Sequence, residues 1–339
     1  MSQEYKKAAN AADCRLPEKL QSNFPVYNGK TTVYGVIGDP ISHSFSPQIH
    51  GYFAGLCGIN MAYVPFHVKG QNIPDALRGA HALGIRGLNV TVPHKKAVMP
   101  HLAHIDPMAQ KVNTVNTLIW TEDGYTGHNT DYIGIQRTVA SLNITFKDRY
   151  VAVLGAGGSA YAACIAAADQ EAKHITIINR THENAVILAS HINSHYNIPV
   201  ELFSDSSPRP DVVIQTTTVG FGEAKDMSPI PNPGFFAGVQ LAFDIIYSPW
   251  ETVFLHQAKK AGVPKVVNGF PMLVYQAAAA FGLWHTERIQ DEAIHIKTLE
   301  KRLKEGLHIN CTRDCPGHYI YTRYRYFSNG LEHPAAYPK

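Results

Sequence analysis

Residues 149–168, RYVAVLGAGGSAYAACIAAA, constrain the fold more than any other stretch of this chain. An apolar run from Tyr150 to Leu154 leads into Gly155-Ala156-Gly157-Gly158-Ser159-Ala160, and a run of small residues follows. The first run predicts a buried strand and the alanine-rich continuation a helix. The turn between them fits G-x-G-x-x-A. Its first glycine allows the tight turn, its second lets the backbone approach a pyrophosphate, and the closing small residue keeps helix and strand together. The helix start then presents free N–H groups and a positive end to phosphate. A glycine-rich turn alone is common; the strand before it and the helix after it are the context the motif requires. A bound dinucleotide is therefore expected.

The next strand, HITIIN, ends in Asn179-Arg180-Thr181 with no acidic residue. NAD-dependent proteins commonly place Asp or Glu near this point to hold the ribose 2′-hydroxyl. A carboxylate would repel a 2′-phosphate. Arg180 suits one, through its planar fork, and Thr181 adds a hydroxyl. The expected cofactor is NADP.

Upstream, apolar runs alternate with helical patterns from Thr31 onward. TTVYGVIG, MAYVPFHV and GLNVTV read as strands, the last stopped by Pro93. SPQIHGYFAGLCG and IPDALRGAHALG read as helices, with Pro47 in the first turn of one, and Gly58 and Gly84 closing the two. TLIWTEDGYTGHNT is a hairpin about Asp123-Gly124. A helix follows from Asp131 to about Leu142. VELF, DVVIQTT and VQLAFDII are further strands, and PMLVYQAAAAFGLWH is a helix that returns to the first part of the chain. The fold class is α/β with two domains: one with a mostly parallel sheet, one Rossmann-type, and a cleft between them. The length of 339 residues agrees with two domains at about 150 residues each.

Composition narrows the function. The formal net charge is +3 and no basic run stands out, which gives no case for nucleic acid. No window approaches the roughly 18 apolar residues of a membrane span, and the N-terminus lacks an apolar leader. Five cysteines, at 14, 57, 164, 311 and 315, are odd in number and scattered, which argues for a reducing compartment, the cytoplasm. Cys57 and Cys164 read as core residues. His308, Cys311, Cys315 and His318 fit no standard zinc spacing and read as free thiols in a tail, so no metal is expected. The partner class is a small molecule, for a monomer or homodimer.

Polar residues gather where strands of the first half end: His43-Ser44-Phe45-Ser46-Pro47, Asn89 to Lys95, Asn113 to Thr117, and Asn129-Thr130-Asp131. Open α/β sheets bind ligands beyond these strand ends. Ser44 and Ser46 suit a carboxylate, and Asn and Thr side chains suit hydroxyls. Lys95 and Asp131 are the ionisable pair of interest. Reducing a ketone needs hydride on carbon and a proton on oxygen; a lysine supplies the proton and an aspartate holds the lysine. Taken singly, each has a plainer reading, a solvated lysine and a helix cap. His94 is read as a surface residue.

The ordered set YGVIGDPISHSFSPQIH, GLNVTVPHK, VNTVNTL, GHNTDYIG, VLGAGGSA, NRT, FDIIYSPWET and PMLVYQAA resembles the shikimate dehydrogenase family, over residues 33 to about 285. The resemblance implies a catalytic pair at Lys95 and Asp131. It implies substrate contacts at Ser44, Ser46, Thr91, Asn116, Tyr247 and Gln276. Cofactor contacts fall on Gly155, Ala156, Gly157, Gly158 and Ser159, on Asn179, Arg180 and Thr181, and on Thr217, Ile245 and Gly269. The implied division is an extension at 1–30, a substrate domain from 31–131 plus 271–300, an NADP domain at 132–270 and a tail at 301–339. Tyr132 stands where the family commonly has Gly, and His128 where Asp is frequent. Both neighbour Asp131 and mark the place where shikimate and quinate would be told apart. The expected activity is NADPH-dependent reduction of 3-dehydroshikimate to shikimate. A quinate/shikimate dehydrogenase with broader substrate or cofactor use is a second reading. A non-catalytic dinucleotide-sensing regulator is a third, although it would need neither Lys95 nor Asp131.

Overall fold

The computed structural model describes residues 27–230, 232–285, 289 and 292–304. Two six-stranded sheets organise them. The first holds β1 (Thr32–Gly38), β2 (Met61–His67), β3 (Gly87–Val90), β4 (His104–Ile105), β5 (Thr117–Thr121) and β6 (Gly124–His128), in the order β2-β1-β3-β5-β6-β4. β1 runs parallel to both β2 and β3, and β4 parallel to β6; β5 is antiparallel to both its neighbours. Helices α1 (Ser46–Cys57) and α2 (Ile73–Ala82) link the parallel strands. α1 ends at Gly58, whose φ of 64° is the left-handed stop that glycine takes without strain.

The second sheet holds β7 (Tyr150–Leu154), β8 (His174–Ile178), β9 (Val200–Leu202), β10 (Val212–Gln215), β11 (Leu241–Asp244) and β12 (Lys265–Val267), all parallel, in the order β12-β11-β10-β7-β8-β9. Its first strand lies between its second and fourth. The chain therefore reverses its direction of travel at the β7–β10 pair, the switch point where doubly wound sheets open a crevice.

The remaining helices are α3 (Pro107–Val112), α4 (Asp131–Ser141), α5 (Gly158–Asp169), α6 (His182–Asn193), α7 (Val253–Lys260), α8 (Phe270–Trp284) and α9 (Glu292–Lys304). α5 is buried from Ser159 to Ala168 because its small side chains let it lie flat on the second sheet. α8 returns to the first half: Val274 and Phe281 pack with Tyr34, Ile49 and Phe53. α4 belongs to both halves. Ile135 and Val139 enter the core of the second sheet. Gly134 meets α8 so closely that a β-carbon there would lie 2.9 Å from the Met272 carbonyl oxygen.

Four features depart from the sequence expectations. β4, α3 and β12 are too short to show a period. The helical pattern does not stop at 300, because Leu303 continues the apolar stripe of Ile296 and Leu299, and Glu300 pairs with Lys304. Of the expected N-terminal extension, residues 27–30 are described, and Asn28 bonds to Asn60. Cys164 is buried as expected, but Cys57 is only partly so. The Cys/His segment at 308–318 lies outside the described residues. No helix among the described residues is long and apolar enough to cross a membrane.

Candidate active site

Two adjoining cavities lie beyond the carboxyl ends of the strands. The smaller, about 170 Å³, is walled by the loops after β1 and β3, the start of α4, the loop after β11, and α8. Ser44, Ser46, Thr91, Lys95, Asn116, Asp131, Tyr247 and Gln276 all line it. Residues far apart in sequence meet because β1 and β3 end side by side and α8 crosses beneath them.

Lys95 and Asp131 form its charged centre. Lys95 Nζ donates to Asp131 Oδ2 at 2.5 Å. Their side chains are 12% and 7% exposed, so this is a largely desolvated ion pair, held only because further partners satisfy it. Asp131 Oδ1 accepts from Asn116 Nδ2 at 2.9 Å. Asn116 Oδ1 accepts from the backbone N–H of Thr130 at 2.7 Å, which fixes the amide's orientation. The Lys95 carbonyl accepts from the Val115 N–H at 2.9 Å, tying the lysine's backbone to the segment that carries Asn116. Asp131 is the first residue of α4 and not its cap; Thr130 occupies that place. Ser44 Oγ accepts from the Ser46 N–H at 3.2 Å, so the two serines share one turn at the start of α1.

The larger cavity, about 700 Å³, opens at the β7–β10 switch point. Gly155, Ala156, Gly157, Gly158, Ser159, Asn179, Thr217 and Ile245 line it. Gly155 has a φ of 111°, and a β-carbon there would lie 2.6 Å from Thr216 Oγ1, so only glycine fits. Gly157 faces open space, with nothing within 4 Å of a built β-carbon. Gly269 lines the smaller cavity and presses on Ile245, whose carbonyl oxygen would sit 1.8 Å from a β-carbon. That close approach brings the end of β11 against the start of α8. Lys95, Ser159, Thr91, Ile245 and Tyr247 line both cavities, which makes them one continuous cleft.

Arg180 and Thr181 do not line either cavity. Both are exposed just past β8, and Asn179 Nδ2 donates to the Thr181 carbonyl at 2.7 Å. They stand at the open rim beyond Asn179, where Asn184 of α6 also faces the cavity.

Tyr132 and His128 point away from the smaller cavity. The Tyr132 hydroxyl donates to Asp169 Oδ2 at 2.6 Å, and His128 lies 3.8 Å from Asp106. Successive residues at the start of a helix diverge by about 100°, so a residue adjacent to Asp131 in sequence faces elsewhere. His94 is not a surface residue: it is 1% exposed and its Nε2 lies 2.6 Å from the Val68 carbonyl oxygen. Sequence reasoning also missed Asp244. It is buried at the end of β11 and accepts from Thr252 Oγ1 (2.6 Å) and the Ile246 N–H (2.9 Å), shaping the loop that carries Ile245 and Tyr247. Burial pushes its carboxyl up to about 7 against those two hydrogen bonds. The buried D…T spacing across FDIIYSPWET was its available signal.

The family model described as the shikimate dehydrogenase substrate binding domain matches residues 36–118, and that described as shikimate / quinate 5-dehydrogenase matches 138–220. A shikimate dehydrogenase (NADP+) of Caldanaerobacter subterraneus subsp. tengcongensis is 37% identical over 271 residues, 79% of this chain and 96% of the relative. Among solved structures, the Thermus thermophilus shikimate 5-dehydrogenase in complex with NADP(H) and shikimate is 30% identical, with a TM-score of 0.72 over 80% of this chain and 99% of that one. The Listeria monocytogenes shikimate 5-dehydrogenase in complex with shikimate and NAD is 28% identical, with a TM-score of 0.72 over 80% and 97%. With both halves matched by family models and nearly the whole of the relative covered, the chain belongs to the shikimate dehydrogenase family.

Proposed function

We propose that this chain catalyses the reversible NADP-linked interconversion of shikimate and 3-dehydroshikimate. The observation that carries the reading is the Lys95–Asp131 pair at the junction of the two cavities. A cyclic hydroxy acid fits the smaller cavity. Ser44 and Ser46 offer hydroxyls to its carboxylate, while Asn116, Thr91 and Gln276 offer donors and acceptors to its ring hydroxyls. Tyr247, packed on Phe45, closes one side.

The larger cavity fits a dinucleotide. The open space at Gly157 and the start of α5 form the cradle that a pyrophosphate needs. Gly155 to Ser159 and Thr217 would hold the dinucleotide, with Asn179, Arg180 and Thr181 at its ribose phosphate and Ile245 and Gly269 near the ring. When bound, NADP supplies or accepts the hydride. In reduction, the Lys95 ammonium gives its proton to the carbonyl oxygen as the C–H bond forms, and regains one from water. In oxidation the amine takes the hydroxyl proton. Asp131 keeps the ammonium in place and its carboxylate is available to a neighbouring hydroxyl. We assign residues 31–131 with 271–300 to the substrate half and 132–270 to the nucleotide half. Its partners are small molecules and its compartment the cytoplasm. Steady-state NADP+ reduction driven by shikimate tests the reading; no turnover with shikimate at millimolar concentration would refute it.

A further inference from the structure

Lys95 touches more than Asp131. Its Nζ lies 3.3 Å from Ser159 Oγ, on the first turn of α5. Lys95 follows β3 of the first sheet, whereas α5 packs on the second, so this hydrogen bond crosses the cleft. The nucleotide turn also supports the lysine's stem. A β-carbon on Gly158 would lie 3.3 Å from Lys95 Cδ, 3.5 Å from Lys95 Cβ and 3.3 Å from Thr114 Cγ2. Ser159 is 9% exposed and lines both cavities.

An ammonium group has three N–H donors and no acceptor. One goes to Asp131, one to Ser159, and the third is left for the substrate oxygen. Two fixed acceptors determine where that third proton points. We infer that Ser159, through its side-chain hydroxyl, is a positioning residue for the proton-transferring Lys95, and that it couples the nucleotide turn to the substrate cavity. This goes beyond an ordinary place in a phosphate cradle, where the turn acts through its backbone N–H groups. Opening the cleft removes one of the lysine's two acceptors and the support of its stem. The ammonium is then fully directed only when the halves are together, the arrangement in which hydride transfer is also possible. The inference rests on the activity proposed above.

The test compares the full-length wild-type chain with Ser159→Ala. Each is assayed with shikimate and NADP+, and NADPH binding is titrated by its fluorescence. The inference predicts a kcat lower by about tenfold, the scale of one hydrogen bond to a charged group. The KM for shikimate and the dissociation constant for NADPH stay within about twofold. A weakened NADPH affinity with unchanged kcat makes Ser159 a phosphate ligand only and overturns the inference, as does a variant indistinguishable from wild type. A second readout needs no turnover: acylation of the Lys95 amine, followed by peptide mass spectrometry. Losing an acceptor frees the amine, so Ser159→Ala labels Lys95 several-fold faster, and equal labelling rates overturn the inference. Absence of wild-type turnover would count against the proposed substrate, while the labelling comparison would still decide the role of Ser159.

Discussion

At the scale of single residues, Lys95 is held from three directions: its carboxylate partner, its serine neighbour across the cleft, and its own backbone bond to Val115. Such a group acts in the transition state more than in binding. Replacing Lys95 with Ala is expected to lower kcat by about 10² to 10⁴, the usual worth of a positioned acid–base group. The KM for shikimate changes by less than tenfold, and a defect confined to KM would contradict the assignment. Arg180 stands at the rim and free of the cavity lining, as a residue does that meets only the far end of a long ligand. Arg180→Ala should reduce the NADP-over-NAD ratio of kcat/KM by about tenfold or more, since a charge-assisted contact to phosphate is lost. An unchanged ratio would remove that role. Of the residues that line the smaller cavity, Ser44, Ser46, Thr91 and Asn116 were legible because each sits in a short polar segment at a strand end, whereas Tyr247 and Gln276 came from the family resemblance alone. Asp244 was not legible, since burial is invisible in sequence and the spacing to Thr252 was the one signal that set it apart from a surface acid. The orientation of Tyr132 was not either, since sequence adjacency says nothing about which way a helix turns its side chains.

At the scale of elements, α4 carries Asp131 at its first position and is shared by both halves. Its second residue, Tyr132, bonds Asp169 at the end of α5, and Asp169 Oδ1 also accepts from Lys111 Nζ of α3 at 2.8 Å and from the Tyr196 hydroxyl. Burial alone would raise the Asp169 carboxyl, but hydrogen bonds from Lys111, Tyr132 and Tyr196 outweigh it and hold it below its ordinary value. α3, α4 and the segment after α6 are thereby bolted to one carboxylate of α5, behind the Lys95–Asp131 pair. Tyr132→Phe removes two bonds, the one given to Asp169 and the one accepted from Gln136 Nε2 at 2.9 Å, and leaves Asp169 with two partners, so it should lower unfolding stability by about 1–2 kcal/mol, read from the urea midpoint at constant m-value. Because the ring faces away from the substrate cavity, the ratio of shikimate to quinate turnover should not move. A shifted ratio with unchanged stability would return Tyr132 to the substrate site. The long elements were legible from period and glycine stops. α3 and β4 escaped because they are held by tertiary partners and by Asp106, whose carboxylate caps α3, and not by any pattern of their own.

At the scale of the whole molecule, two sheets place their switch points against each other, and the cleft follows from that topology. The first half pays for its core with a buried histidine. His50 is fully buried, stacked on Tyr63 with centroids 4.3 Å apart, and burial lowers its pKa to about 3. An unfolded histidine takes a proton below about pH 6.5. Between those values the unfolded chain binds more protons than the folded one, so stability rises with pH across the window and is lost as pH falls through it. Relative to wild type, His50→Phe should flatten the pH dependence of unfolding free energy between pH 6 and 4, by up to about 1.4 kcal/mol per pH unit. Parallel curves would contradict the buried neutral ring. The two-part α/β architecture was legible from the strand–helix alternation and the glycine turn at 155–160. The shared position of α4 was not, because its two faces read as one ordinary amphipathic helix.

Oxidation of shikimate by NADP+ is the activity proposed for this cleft. Its most direct test is the set of initial rates of cofactor reduction for shikimate and quinate, each paired with NADP+ and with NAD+. Turnover with shikimate and NADP+ should exceed that of every other pairing. Comparable or faster turnover with quinate, or with NAD+, would contradict it.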